Sequence, residues 1–165
     1  MRRVRLDNKA PICRGFYFCF KPVNNFKLYQ KSEMQIKFSS EVVPATESII
    51  DLYNSSGINR PTTDLERIAR MYANSNLIVT AWDKDKLVGI SRSLTDFCYC
   101  CYLSDLAVRE EYKYKGIGKK MIEITKEIVG EQSMLLLLAA PSAMEYYPKV
   151  GLEKVVNGFI IKRNG

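Results

Sequence analysis

The chain has 165 residues, 47% apolar and 26% charged, which suits one domain with a single sizeable core, and no apolar run approaches the roughly 20 residues that span a bilayer as a helix. Its formal charge of +7 suggests nucleic acid only until it is divided along the chain. Residues 1–33 hold Arg2, Arg3, Arg5, Lys9, Arg14, Lys21, Lys27 and Lys31 against Asp7 and Glu33, a balance of +6, so residues 34–165 carry only +1; a duplex-binding body is not indicated, and a cytoplasmic domain without nucleic-acid or membrane partners is expected.

The first 33 residues mix these basic groups with Phe16, Tyr17, Phe18, Phe20, Phe26 and Tyr29 in no clear period. Arg14 and Lys21 bracket a short apolar run, and no small-residue cleavage pattern follows, which disfavours a secretory signal. As a functional arm the segment would touch nucleic acid or a membrane surface; the simpler reading is an upstream extension of the coding frame, because Met34 opens the first stretch that resembles a domain start. The expected organisation is an extension over 1–33 and a domain over 34–165.

Alternation in Gln35-Ile36-Lys37-Phe38 predicts a first strand, and Thr46 to Tyr53, after Pro44, predicts a helix ended near Gly57. Thr63 as N-cap with Glu66 as its capping-box partner predicts a second helix through Leu65, Ile68, Ala69 and Tyr72. Leu77–Trp82 and Leu87–Ser93 flank Asp83-Lys84-Asp85-Lys86 as a hairpin. Cys98–Val108 is a long third run, leading through a polar loop into a helix from about Gly116 to Val129. Met134–Ala139 is continuously apolar, which predicts a strand buried on both faces. Pro141 and Ser142 open a short helix through Tyr147, and Phe159–Lys162 closes as a strand. This order defines an α/β (α+β) domain with a largely antiparallel sheet.

Five cysteines, crowded at Cys98, Cys100 and Cys101 with Cys13 and Cys19 far upstream, make no disulfide framework. Adjacent strand residues point to opposite faces and the chain has no histidine, so no common zinc set forms and no metal is expected. The lack of histidine also removes Ser-His-Asp and Cys-His nucleophiles and every histidine base, leaving carboxylate, tyrosine, cysteine or water to move protons.

The loop Lys113-Tyr114-Lys115-Gly116-Ile117-Gly118 joins a strand end to a helix start. Unpaired N–H groups there, two glycines that admit close approach or positive φ, and Lys113, Lys115, Lys119 and Lys120 suit a polyanionic ligand. A dinucleotide fingerprint would need a glycine where Met121 stands, and a P-loop would need Gly-Lys-Ser/Thr, so both are disfavoured.

Two segments resemble the GNAT superfamily of acyl-CoA N-acyltransferases. Leu103-Ser104-Asp105-Leu106-Ala107-Val108-Arg109-Glu110-Glu111-Tyr112-Lys113-Tyr114-Lys115-Gly116-Ile117-Gly118 resembles the family's strand, pyrophosphate loop and helix start, with Lys113 where Gln or Arg is usual. Ala143-Met144-Glu145-Tyr146-Tyr147-Pro148-Lys149-Val150-Gly151-Leu152 resembles its Ala-x-x-Phe-Tyr-x-Lys-x-Gly-Phe helix and turn, with Tyr146 for Phe, Pro148 shortening the helix, and Ala140 where an Asn is frequent. The resemblance covers Met34 to the C-terminus. It implies a mixed, largely antiparallel sheet of about six to seven strands flanked by about four helices.

For the site it implies acetyl-CoA as acyl donor, held by Leu106, Ala107, Val108, Lys113, Tyr114, Lys115, Gly116, Ile117, Gly118 and Lys119, with Tyr147 as general acid to the CoA thiolate. A phenol near pKa 10 is matched to an alkyl thiolate. Asp105, an acid in an apolar strand, is the candidate base if burial raises its pKa, against an alternative in which it pairs with a basic neighbour or N–H while water carries the proton away. The acceptor implied is a small amine, arylalkylamines among them; Trp82, Tyr53, Tyr72, Tyr99 and Tyr102 could wall an aromatic pocket. A lysine or protein N-terminus is the alternative acceptor, and a homodimer is compatible with the resemblance. Two other classes are a non-catalytic acyl-CoA-binding module, which would not need Tyr147, and a nucleic-acid binder led by the basic arm, whose binding would be steeply salt-dependent.

Overall fold

The computed structural model of the protein describes residues 35–163; the predicted extension over 1–33 lies outside them. Strand β1 (Ile36–Ser39) is followed by helices α1 (Thr46–Ser56) and α2 (Leu65–Ala73), the meander β2 (Leu77–Asp83), β3 (Lys86–Thr95) and β4 (Cys100–Val108), helix α3 (Ile117–Val129) and strand β5 (Met134–Leu136). The sheet runs β1-β2-β3-β4-β5. All its pairs are antiparallel except β4 with β5, which α3 joins as a parallel crossover. This is the mixed α/β architecture expected, with fewer elements: five strands and three α-helices among the described residues.

Helix α1 ends on Gly57 at φ 74°, whose N–H bonds Tyr53 O, the left-handed stop that glycine permits. Helix α2 starts one residue later than its sequence suggests. Asp64, not Thr63, is the N-cap, accepting from Arg67 N at 2.9 Å; a carboxylate at this position also complements the helix dipole. The hairpin turn is the two-residue Lys84-Asp85, with Lys84 at φ 54°.

Helices cover both faces of the sheet. Ile49, Leu52 and Tyr53 of α1 and Ile68 and Tyr72 of α2 pack on Ile78, Leu87, Ile90 and Ala107. On the other face Ile117, Met121 and Val129 of α3 meet Leu77, Val79, Ala81, Val88 and Cys101. Burial from both sides explains why β2 and the first half of β3, Leu87 to Ile90, read as apolar runs in the sequence. No helix among the described residues is long and apolar enough to cross a membrane.

Three C-terminal expectations are corrected. Met134–Ala139 is not a strand buried on both faces: pairing stops at Leu136, and Met134 and Leu138 are exposed, because β5 is an edge strand hydrogen-bonded only to the first three residues of β4. The helix expected over Pro141–Tyr147 is instead a pair of 3-10 turns, Pro141–Ala143 and Pro148–Val150; Pro148 has no N–H for a helical bond to Met144, and its ring crowds that carbonyl. Phe159–Lys162 forms no strand, and Phe159, Ile160 and Ile161 are exposed, since no neighbouring strand supplies its ladder.

Candidate active site

The face that each residue of β4 presents changes partway along it. Strand periodicity would put Cys101 and Leu106 on opposite faces, yet both pack on the α3 side, while Ala107 packs on the α1–α2 side. The register explains it: Arg92 pairs with Asp105 and Ser93 with Leu103, so Ser104 is the extra residue of a β-bulge. Beyond the bulge, Asp105 and Ala107 pair with Arg92 and Ile90, and Arg109 N bonds Val88 O at 2.9 Å. By the alternation of an antiparallel ladder, the N–H and C=O groups of Leu106 and Val108 therefore point away from β3. On that side β5 has already parted, its last rung being Tyr102 with Leu136. The result is an open gap edged by peptide groups.

Downstream of the gap, a 3-10 turn (Glu110–Tyr112) leads through Tyr114 at φ 63° to Gly116 at φ 79°, which caps α3. Arg109 braces the turn by bonding Leu87 O at 2.7 Å and pairing with Asp51, and Tyr112 Oη donates to Asp83 at 2.7 Å. No side chain caps α3, so its leading N–H groups are available to an anion. The lysines are less concentrated on that spot than their spacing suggests. Lys113 pairs with Glu110, and Lys115 Nζ donates to Glu111 O at 2.8 Å and lies 4.8 Å from the Tyr112 ring centre. Lys119 and Lys120 sit 3.9 and 3.5 Å from Glu123, both half-exposed pairs that are readily exchanged for a ligand. The Tyr114 side chain is fully exposed. Replacing Gly116 by alanine forces a left-handed conformation on a residue with a Cβ, costing about 1–2 kcal/mol; the melting midpoint is expected to fall by several degrees, with the fold retained.

Tyr146 and Tyr147 pack edge to face at 5.3 Å between ring centres, both half-buried. Burial pushes the phenol pKa of Tyr147 above its ordinary value; burial and then the neighbouring Tyr147 do the same to Tyr146. The tyrosine that reaches the start of α3 is Tyr146, whose hydroxyl would lie 2.9 Å from a Cβ built on Gly118. That contact was not foreseen, although the signal was present as an added hydroxyl where the resembling motif has Phe.

Asp105 is fully buried, but its setting is not apolar. Arg92 and Arg60 both pair with it, Arg60 Nε donating at 2.6 Å, and Tyr53 Oη donates at 2.8 Å. Tyr53 has spent its only proton, so in the 2.7 Å contact between the two hydroxyls Tyr72 is the donor. Burial alone would raise the Asp105 pKa; the Arg92 hydrogen bond and charge, followed by Arg60 and Tyr53, outweigh it and hold the carboxyl below its usual range. Of the two alternatives the sequence left open for Asp105, the arrangement matches the carboxylate paired with basic neighbours, not an acid with a raised pKa. Arg60 and Arg92 went unnoticed there because nothing local in the sequence marks a partner so many residues away.

On the α1–α2 side of the gap, Leu94, Tyr102, Met134 and Leu136, together with Asn74, Asn76, Thr95, Asp96 and Cys100, line a mostly apolar groove of about 620 Å³. The five candidate pocket aromatics do not assemble. Tyr53 and Tyr72 are core, Trp82 packs partly buried beside them, Tyr99 is exposed, and only Tyr102 lines the groove. Among the described residues no group of three or more His, Cys, Asp or Glu could hold a metal.

A bulged strand thus parts from its parallel neighbour beside a glycine-capped helix. The acetyltransferase (GNAT) domain family matches residues 52–165, more than half of the chain, and the chain belongs to that family. Such acetyltransferases use acetyl-CoA. Solved structures of the same fold include a probable acetyltransferase from meticillin-resistant Staphylococcus aureus, at a TM-score of 0.67 and 24% identity over 78% of this chain and 100% of that one. A GNAT family protein from Streptococcus pneumoniae TIGR4 has a TM-score of 0.61 and 21% identity over 79% and 100%. Glucosamine-6-phosphate N-acetyltransferase from Arabidopsis thaliana has 0.58 and 14% over 79% and 99%. No curated protein matches the sequence significantly.

Proposed function

We propose that the protein is an N-acetyltransferase that moves the acetyl group of acetyl-CoA directly to the primary amine of a small acceptor, with Tyr147 as general acid. The observation that carries this reading is the gap between β4 and β5, edged by the outward peptide groups of Leu106 and Val108 and followed at once by the uncapped start of α3. The first N–H groups of α3, at Ile117, Gly118 and Lys119, receive the diphosphate, with Gly116 supplying the turn and Lys113, Tyr114, Lys115 and Lys119 around it. The pantetheine arm lies along Leu106, Ala107 and Val108.

The bound donor supplies an activated thioester carbonyl. The acceptor nitrogen, neutral, forms its bond to that carbon; the outward N–H groups of β4 stabilise the negative charge that develops on the oxygen. As the C–S bond breaks, the Tyr147 hydroxyl gives its proton to the leaving sulfur, and the surplus proton of the product nitrogen passes through water to restore the Tyr147 phenol. Asp105, already paired with two guanidiniums, has its task in the framework, not as the base.

The groove supports a small acceptor with an apolar body: its volume lies in the range of small-molecule sites, and it ends at Tyr102 and Leu136, the last rung before the gap. Glucosamine-6-phosphate, named for one protein of the same fold, is a small amine, though a more polar one. Among arylalkylamines, amino sugars and lysine peptides, the arylalkylamines are expected to give the highest kcat/KM in a thiol-release assay. Leu94→Lys, at a half-exposed groove position, is expected to raise their KM by about tenfold or more through the charge it brings to an apolar wall, with the KM for acetyl-CoA unchanged. Equal rates with lysine peptides, or insensitivity to Leu94→Lys, would move the acceptor site elsewhere.

A further inference from the structure

The bulge residue Ser104 is held from two sides. Arg92 Nη2 donates to its hydroxyl at 2.8 Å, and Arg60 Nη2 donates to its carbonyl oxygen at 2.8 Å. Both guanidiniums share the next residue, Asp105, as counter-ion. Arg92 comes from β3 and is nine-tenths buried; Arg60 comes from the connection between α1 and α2, with its side chain 21% exposed. Further contacts fix both: Arg92 Nη1 reaches Ser75 Oγ at 2.8 Å, and Arg60 Nη1 bonds Asn59 O at 2.6 Å.

This arrangement does more than neutralise charge. A bulge can be lost when the strand beyond it slips by one residue against its neighbour, and that slip would pair Leu106 with Ile90 and Val108 with Val88, turning both toward β3 and presenting Ala107 to the gap. A planar guanidinium that grips the bulge carbonyl and the adjacent carboxylate together opposes that slip, which a single point charge cannot do.

We propose that Arg60, with Arg92 and Asp105, acts as a positioning clamp on Ser104 that fixes which peptide groups of β4 face the acyl donor, and that through Arg60 the α1–α2 connection sets the donor strand's register. The inference rests on the proposed role of Leu106 and Val108 in holding the donor. Arg60 touches neither reactant; it acts through the strand. CoA is anchored mainly at the start of α3, on the far side of Val108, so loosening the clamp affects the bond-making step more than donor binding.

The test uses the full chain and the partly exposed Arg60, whose loss leaves Arg92 to neutralise Asp105. In Arg60→Ala, assayed well below its melting midpoint, kcat is expected to fall about tenfold or more, as small misplacements of reacting groups do, with the CoA dissociation constant within about twofold of wild type and the pH profile unshifted. Hydrogen exchange of the peptide spanning 103–109 is expected to rise in the same variant without turnover. Arg60→Lys restores the charge without the fork and is expected to recover only part of kcat. Full wild-type kcat in Arg60→Lys, or unchanged exchange over 103–109 in Arg60→Ala, overturns the clamp. If the wild-type chain transfers no acetyl group, the proposed activity fails while the exchange measurement still decides the clamp.

Discussion

Tyr147→Phe is expected to lower kcat about 100-fold or more, the usual range for loss of a general acid, and to leave the dissociation constant of acetyl-CoA nearly unchanged. The substitution removes one oxygen from a half-buried ring that still packs edge to face on Tyr146, so the fold has little reason to change. Burial holds the pKa of the Tyr147 phenol above its ordinary value, so the group stays protonated where a free phenol would begin to ionise. The rate should therefore climb toward alkaline pH as the acceptor amine loses its proton, with no descending limb from Tyr147 below that value. Tyr146→Phe provides the comparison. Its hydroxyl lies against Gly118 at the start of α3, so its loss should be felt in CoA affinity and not in the step that expels the thiolate. A tenfold or greater loss of kcat in Tyr146→Phe with none in Tyr147→Phe would exchange the two roles.

Asp105→Asn is expected to destabilise the fold by about 3–5 kcal/mol at neutral pH, the effect of removing one partner from a buried ion pair, which lowers the melting midpoint on the order of 10 °C. Arg92, nine-tenths buried, would be left facing Arg60 with no counter-ion. The sign of the pH dependence follows from the direction of the shift. The folded carboxyl lies below its unfolded value near 4, so its contribution is complete above that value and is lost as pH falls through the depressed folded pKa. Thermal melts of wild type and variant should thus differ most at neutral pH and converge in acid. A variant as stable as wild type at pH 7 but without its catalytic rate would instead restore Asp105 as a base.

The fold was legible wherever a local signal and the tertiary packing agree. Glycine and proline punctuation located α1 and its stop at Gly57, periodicity located α2 and α3, and the apolar runs of β2 and β3 were readable because helices cover both faces. Agreement ended at the edge of the sheet. Met134–Ala139 has the composition of an interior strand, but only a neighbouring ladder makes a strand interior, and no composition records whether one is present. Proline at 148 was visible as a helix shortener; that it reduces the element to 3-10 turns follows from the carbonyl geometry it imposes.

Within the site, the loop from Lys113 to Gly118 could be read because helix starts and glycines carry a local signature. The bulge could not be read, since Ser104 is an ordinary strand residue whose displacement shows only in the pairing with β3. For the same reason the sequence could not decide between the two readings of Asp105. Its apolar neighbours along the chain, Leu103, Leu106 and Ala107, suggest a desolvated acid, whereas the groups that set its ionisation, Arg60, Arg92 and Tyr53, arrive from other elements.

Acetyl transfer from acetyl-CoA to a small amine is measured by thiol release from acetyl-CoA by the intact protein, with and without a panel of arylalkylamines, amino sugars and lysine peptides. Release is expected to depend on the amine, to saturate with it, and to yield the N-acetylated product in equal amount by mass spectrometry. Measurable acetyl-CoA binding without release in the presence of any amine would contradict it and leave the protein an acyl-CoA-binding module.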